Sequence, residues 1–247
     1  MSKKEGGVKS KAKSKAKSKT SSKIKKKAKK VRKVKENVIV LGAHSDDFVL
    51  GAGATIAKYV KEGKKVTCII FSYGEMSHPW LKEEEVQKMR IEEAHQAAKV
   101  LGCKTIFFDL KEGKFSNETN GEKTVKKILN IIKKKNPTKI FTHSIEDPHP
   151  DHQAVNKITL EAYDQIEDKL KPEVYVYSVW NPVEFKTRAP ALLVDVGNNF
   201  NKKIEAMKKF ESQKVHTLYP RLISFFRDIK TGIRIRKKFA EKFYRVR

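Results

Sequence analysis

The chain has 247 residues, and its 55 Lys and Arg against 29 Asp and Glu give a formal net charge of +26. Residues 1–36 hold sixteen Lys and one Arg against two Glu, net +15, and residues 215–247 hold six Arg and four Lys against Asp228 and Glu241, net +8, so 37–214 carries only +3. The excess belongs to the two ends, and the middle is an ordinary balanced chain, long enough for one core without disulfides, which excludes a small stapled scaffold. Cys68 and Cys103, the only cysteines, exclude a disulfide framework and a Cys-rich metal site and read as reduced core thiols. No apolar run approaches the roughly 18 residues a membrane span needs, and the basic start lacks a signal h-region. The expected location is cytoplasmic, with a peripheral position at a membrane surface as the alternative.

Residues 1 to about 34 repeat Lys with Ser and Ala and offer almost nothing to bury, so a Lys-rich disordered tail is expected over 1–36 and a single domain over 37–247. Beyond the tail, short β-rich runs alternate with segments of helical period. The runs are NVIVLG (37–42), VTCIIFS (66–72), TIFFDL (105–110), KIFTH (139–143), EVYVYSVW (173–180) and ALLVDV (191–196). Helices are expected over 51–62, 83–101, 121–135 and 150–167, the last opening on Pro150. This alternation predicts an α/β fold, a Rossmann-like, doubly wound, mainly parallel sheet with flanking helices. In the common order 3-2-1-4-5, the first and fourth strands are neighbours and a crevice opens beyond their carboxyl ends. The basic segment 214–247 reads as a final helix packing Phe225, Phe226, Ile233, Phe239 and Phe243 on the domain.

The loops at that crevice read AHSDD (43–47) and HSIEDPHPDH (143–152), and they hold four of the chain's seven histidines together with five carboxylates. His44 and Asp47 are three apart, as are His149 and His152. Such spacings can aim side chains at one point, and two histidines with one carboxylate around an open position make a catalytic zinc site. Asp46, beside Asp47, is placed to act as a base toward water. Simpler roles compete: Asp46 or Asp47 as a helix cap, Asp151 as a first-turn carboxylate, His143 as a strand-end hydrogen-bonder. His78, His95 and His216 read as surface or packing residues. Gly51 and Gly53 form a GxG after a strand, but the dinucleotide fingerprint is incomplete.

These residues resemble the PIG-L/LmbE family of zinc-dependent N-acetylglucosaminyl deacetylases. AHSDDFVLGAGATIAKYVKEGKKVTCIIFSYGE (43–75) is similar to the family's His-Pro-Asp-Asp-Glu-like loop with its helix, second strand and Gly-Glu ending, and HPDH (149–152) to its second motif. RIEEAHQAAKVLG (90–102), VYVYSVWNP with Trp180, SQ at 212–213 and AEKF at 240–243 extend the likeness over 37–245. The resemblance implies His44, Asp47 and His152 as ligands of Zn2+, or of another divalent metal, and Asp46 as the base that deprotonates the metal-bound water. It further implies that His149 assists the oxyanion or the leaving amine, that Asp151 orients the His149 ring, and that Arg90 contacts substrate. Ser45 stands where the family usually has Pro, and Phe48 where it has Glu.

The reaction implied is removal of the N-acetyl group from an N-acetylglucosamine-containing conjugate, small-molecule or lipid-linked. The competing reading is a polyanion-binding protein with a secondary hydrolase site, its basic ends touching nucleic acid or anionic membrane without sequence preference.

Overall fold

The computed structural model describes residues 36–75, 80–115, 118–181, 189–214 and 217–247, which belong to one compact unit. The expected Lys-rich tail, His78 and His216 lie outside the described residues. Seven strands and six helices follow in the order β1 (Asn37–Gly42), α1 (Asp47–Lys61), β2 (Lys65–Ile70), α2 (Glu83–Leu101), β3 (Lys104–Phe107), α3 (Glu118–Lys135) and β4 (Lys139–His143). The chain continues through α4 (Pro150–Asp164), β5 (Glu173–Tyr177), β6 (Ala191–Asp195), α5 (Phe200–Met207), α6 (Leu218–Arg234) and β7 (Ala240–Arg245).

The sheet order is β3-β2-β1-β4-β5-β7-β6. Its first five strands pair in parallel, as the alternating pattern predicts, and β7 then joins β5 and β6 antiparallel. Both faces are covered, so the central strands are apolar on both sides. Val38 and Val40 of β1 join Cys68 and Ile70 of β2 under α1, α2 and α5, whereas Ile39, Leu41 and Ile69 pack under α3 and α4. Helix ends follow local chemistry. Glu83, Glu84 and Glu85 occupy the first turn of α2, and Gly102 closes it in the left-handed region at φ 79°. Pro150 opens α4, where its missing N–H is no loss.

The glycine pair after β1 serves packing. A Cβ on Gly51 would lie 2.2 Å from the Tyr177 ring, whose hydroxyl donates to the Leu41 carbonyl at 2.6 Å. Helix α1 breaks its helical geometry at Ala52, φ −145° and ψ 15°, which exposes the amides of the next turn. The Glu241 carboxylate caps them, accepting from Ala54 N at 3.2 Å and Thr55 N at 2.7 Å.

The expected final helix needs correction. α6 ends at Arg234, Arg236 turns the chain at φ 57°, and Ala240–Arg245 becomes a strand. Phe243 and Phe239 do reach the core, but from that strand and its approach, while Phe226 and Ile233 are 64 % and 69 % exposed. Among the described residues no helix is long and apolar enough to cross a membrane. Cys68 and Cys103 are free thiols, their sulfurs 3.6 Å apart.

Candidate active site

Because β1 and β4 are neighbours, the turns leaving their carboxyl ends face one another, and the two polar loops meet despite a separation of about a hundred residues. Asp46 occupies the cap position of α1, yet its side chain makes no capping hydrogen bond; it borders a cleft shared with His44, Asp47, Arg90, Glu112, His149, Trp180 and Gln213. Asp47 does not cap either. Its Oδ2 accepts from the His44 amide at 2.7 Å, folding the turn so that both side chains point inward.

Three sets of side chains bring possible ligand atoms within 4.8 Å of one another: His44, Asp47 and His152; His44, His149 and Asp151; and His143, Asp147 and His152. They share one histidine-rich wall. The first set carries the clearest sign of a cation. His152 Nδ1 lies 2.9 Å from Asp147 Oδ1, which fixes the proton of the neutral ring on that nitrogen. Its Nε2 is then a lone pair, buried, without a hydrogen-bond partner, and 3.4 Å from Asp47 Oδ1. Two electron-rich atoms facing each other call for a metal ion or a proton between them. The donor set, imidazole and carboxylate, suits zinc and related divalent ions.

Without an ion, the electrostatics favour a proton in that position. Burial alone would lower His152, but Asp47 and Asp147 outweigh it and hold the imidazole up at about 9. His44 is likewise raised against its burial by hydrogen bonds to Asp151 and Asp47. Burial opposes ionisation of Asp47, yet His152 and His143 keep it well below the usual carboxylate range. Asp46 differs from its neighbour. Burial first, then the Asp47 charge, push it up to about 6, with His44 and Arg90 pulling the other way. Adjacent carboxylates are thereby divided into one held as an anion and one poised near neutrality.

His149 caps α4: the Asp151 amide donates to its Nδ1 at 3.2 Å, so the neutral ring carries its proton on Nε2. Burial, His44 and His152 lower its pKa and keep it neutral. The Asp151 carboxylate does not hold the His149 ring by a hydrogen bond. It lies 3.3 Å from His44 Nε2 and accepts from Gly113 N at 3.0 Å, and it is the backbone amide of Asp151 that hydrogen-bonds the His149 ring.

Arg90 is fully buried and its Nη1 donates to Ser212 Oγ at 2.9 Å, with Glu93 accepting from the same hydroxyl at 2.6 Å. The Ser45 hydroxyl meets Gln213 Nε2 at 3.5 Å, and Phe48 is packed in the core beneath the site. His143 is fully buried, its Nε2 accepting from Ala43 N at 3.1 Å and lying 3.1 Å from Asp47 Oδ2, as a strand-end hydrogen-bonder would. His95 is exposed beside Phe107.

Sequence reasoning missed Asp147. Besides His152, its carboxylate accepts from Val179 N at 2.7 Å, Trp180 N at 3.1 Å and Ser178 Oγ at 3.0 Å, tying the loop after β4 to the end of β5. The available signal was a carboxylate five residues before a candidate ligand histidine. A carboxylate behind such a histidine is the usual support of a metal site.

The histidines and carboxylates thus meet at the switch point of a doubly wound α/β sheet. The GlcNAc-PI de-N-acetylase (PIG-L) family model matches residues 39–163, and the chain belongs to that family. The 4-oxalmesaconate hydratase of Pseudomonas putida is 28 % identical over 197 residues, covering 73 % of this chain and 75 % of that protein. The diacetylchitobiose deacetylase of Thermococcus kodakarensis is 26 % identical over 195 residues, covering 72 % and 70 %. The crystal structure of the 4-carboxy-2-hydroxymuconate hydratase from P. putida superposes with a TM-score of 0.74 at 24 % identity, covering 86 % of this chain and 96 % of that one, a likeness of fold.

Proposed function

We propose that the protein is a metal-dependent hydrolase that removes the N-acetyl group from an N-acetylglucosamine-containing conjugate, with Asp46 as general base. The observation that carries this reading is the division of labour in one cleft. His44, Asp47 and His152 converge as candidate ligands, and Asp46 lies beside them without a capping bond. Membership of a family whose model is named for de-N-acetylation supports it.

His44, Asp47 and His152 would hold the ion, zinc or another divalent metal, with Asp147 setting the His152 tautomer. When bound, such an ion supplies Lewis acidity, acidifying water and polarising a carbonyl oxygen. Asp46, with its pKa about 6, is ionised at neutral pH yet basic enough to accept the proton of the attacking water. As the water oxygen bonds to the acetyl carbon, the amide oxygen becomes an oxyanion. The neutral His149 ring donates its Nε2–H toward that charge, in a cleft where burial strengthens the interaction. The C–N bond then breaks, the departing nitrogen takes the proton held by Asp46, and acetate and a free amine result. Arg90, rigid against Ser212 and Glu93, is a fixed charge on the cleft wall that suits a sugar hydroxyl, and the Trp180 ring offers it an apolar face.

A second reading rests on the Pseudomonas hydratase, the more identical of the two relatives above. Water activated by Asp46 could equally add across an activated carbon–carbon double bond. Assaying acetate release across N-acetylglucosamine conjugates, beside hydration of unsaturated carboxylates, separates the two: acetate from at least one conjugate supports the deacetylase, and hydration without acetate overturns it.

A further inference from the structure

The two candidate ligand histidines face Asp47 with different ring nitrogens. His152 turns Nε2 toward Asp47 Oδ1 at 3.4 Å, whereas His44 turns Nδ1 toward Asp47 Oδ2 at 3.5 Å. Each ring has a carboxylate behind it. Asp147 lies 2.9 Å from the far nitrogen of His152, and Asp151 Oδ2 lies 3.3 Å from His44 Nε2, with Glu112 Oε1 at 3.7 Å from that same nitrogen. Facing two carboxylates, Nε2 is the nitrogen of the neutral His44 ring that holds the proton, and Nδ1 is left as the lone pair toward Asp47.

Asp151 is itself held in place. It is buried in the first turn of α4, and its Oδ2 accepts from Gly113 N at 3.0 Å. Gly113 adopts φ 74°, a left-handed turn that glycine makes without strain. The neighbouring Glu112 amide donates to Glu75 Oε1 at 3.1 Å, and Glu75 Oε2 accepts from Ser72 Oγ at 3.0 Å. The segments after β2 and β3 are thus tied together and present one amide to Asp151, which in turn meets the ring after β1. We propose that Asp151 is a positioning residue for His44, fixing its ring so that Nδ1 rather than Nε2 meets the ion. This rests on the metal-dependent reading above and gives Asp151 the part toward His44 that Asp147 has toward His152. A carboxylate behind a ligand imidazole sets its tautomer and raises its basicity. The two ligand histidines then bind through opposite nitrogens.

The test uses the full chain, loaded with zinc and carrying isotopically labelled histidine, in long-range proton–nitrogen correlation spectra that read which ring nitrogen is protonated. His152 should show a protonated Nδ1 with zinc on Nε2, and His44 a protonated Nε2 with zinc on Nδ1. Zinc on His44 Nε2 would overturn the proposal in favour of an ion held by His44, His149 and Asp151. Chelator competition then measures zinc affinity in Asp151→Asn, alone and together with His149→Ala. The amide keeps the shape of the carboxylate but not its charge, so affinity should fall by about 10–100-fold in both backgrounds. Unchanged affinity, with a loss of turnover that disappears once His149 is Ala, would return Asp151 to the His149 ring and overturn the proposal. The spectra need no variant, so misfolding of Asp151→Asn leaves that test intact. A wild type that binds no zinc would overturn the metal-dependent reading together with the proposal, whereas zinc bound through His44 Nε2 overturns the proposal alone.

Discussion

Asp147 and His152 are joined at 2.9 Å through Oδ1 and Nδ1, both side chains fully buried, and this pair decides which histidine nitrogen faces Asp47. With Nδ1 committed to Asp147, only Nε2 is left to look toward Asp47. Asp147→Asn should therefore weaken zinc affinity by about 10–100-fold, since a supporting partner sets both ring orientation and ligand basicity. Competition against a chromophoric chelator measures it. Unchanged affinity would show that packing alone holds the ring.

Ligand and base should separate cleanly. Purified protein should carry about one zinc per chain, and His152→Ala should abolish stoichiometric binding by elemental analysis. Asp46→Asn should keep the metal while turnover drops on the order of 10²–10⁴-fold, because an amide cannot accept the proton of water. A variant at Asp46 that loses its zinc would exchange the roles assigned to Asp46 and Asp47.

His149→Ala should also keep the metal and lower kcat more than it raises KM, since its Nε2–H meets charge that develops during the reaction. His149→Gln, which retains an N–H donor, should recover part of the loss. Steady-state kinetics with zinc content in parallel give both numbers.

Away from the cleft, Lys203 is fully buried between Asp228 and Glu241, at 2.6 Å and 2.7 Å. Replacing it by Met leaves two buried carboxylates without their cation and should cost about 3–5 kcal/mol by denaturant unfolding. The penalty should depend on pH. Burial, opposed by Lys203 and reinforced by Glu241, raises the Asp228 carboxyl to about 6 in the folded protein, above its unfolded value near 3.9. Its contribution is thus full below the unfolded value and fades as pH rises through about 6. Without Lys203 the carboxylates resist ionisation further, so Lys203→Met should lose more stability at about pH 8 than at about pH 5. A pH-independent loss would mean that missing packing, rather than stranded charge, sets the penalty.

Most of the parallel sheet was legible because its strands are short runs of Val, Ile and Phe, and both layers of the sandwich need them apolar on each side. The limits of α2 at Glu83 and Leu101 follow from its acidic first turn and Gly102. Strand β7 was not legible. Nothing like Gly or Pro punctuates residues 235–239, and Glu241 and Lys242 interrupt its apolar pattern, so Phe225 through Phe243 read as one helix. Glu241 is tolerated in the core only because α1 breaks at Ala52 and Lys203 arrives from α5, partners far away in sequence. The site shows the same limit. AHSDD and HPDH announced their chemistry by residue type and spacing, whereas Asp147 gains its role only when Val179 and Trp180 come alongside.

The central claim is that Asp46 directs water onto an amide carbon. The most direct measurement is the ratio of acetate to free amine released from an N-acetylglucosamine conjugate by the zinc-loaded protein, with Asp46→Asn carried beside it. The account predicts acetate and amine in equal amounts, abolished by chelation, restored by zinc, and nearly absent in the zinc-loaded Asp46→Asn protein. Acetate formed at an undiminished rate by that variant would contradict it, as would a zinc-loaded wild type that releases none from any conjugate while hydrating an unsaturated carboxylate.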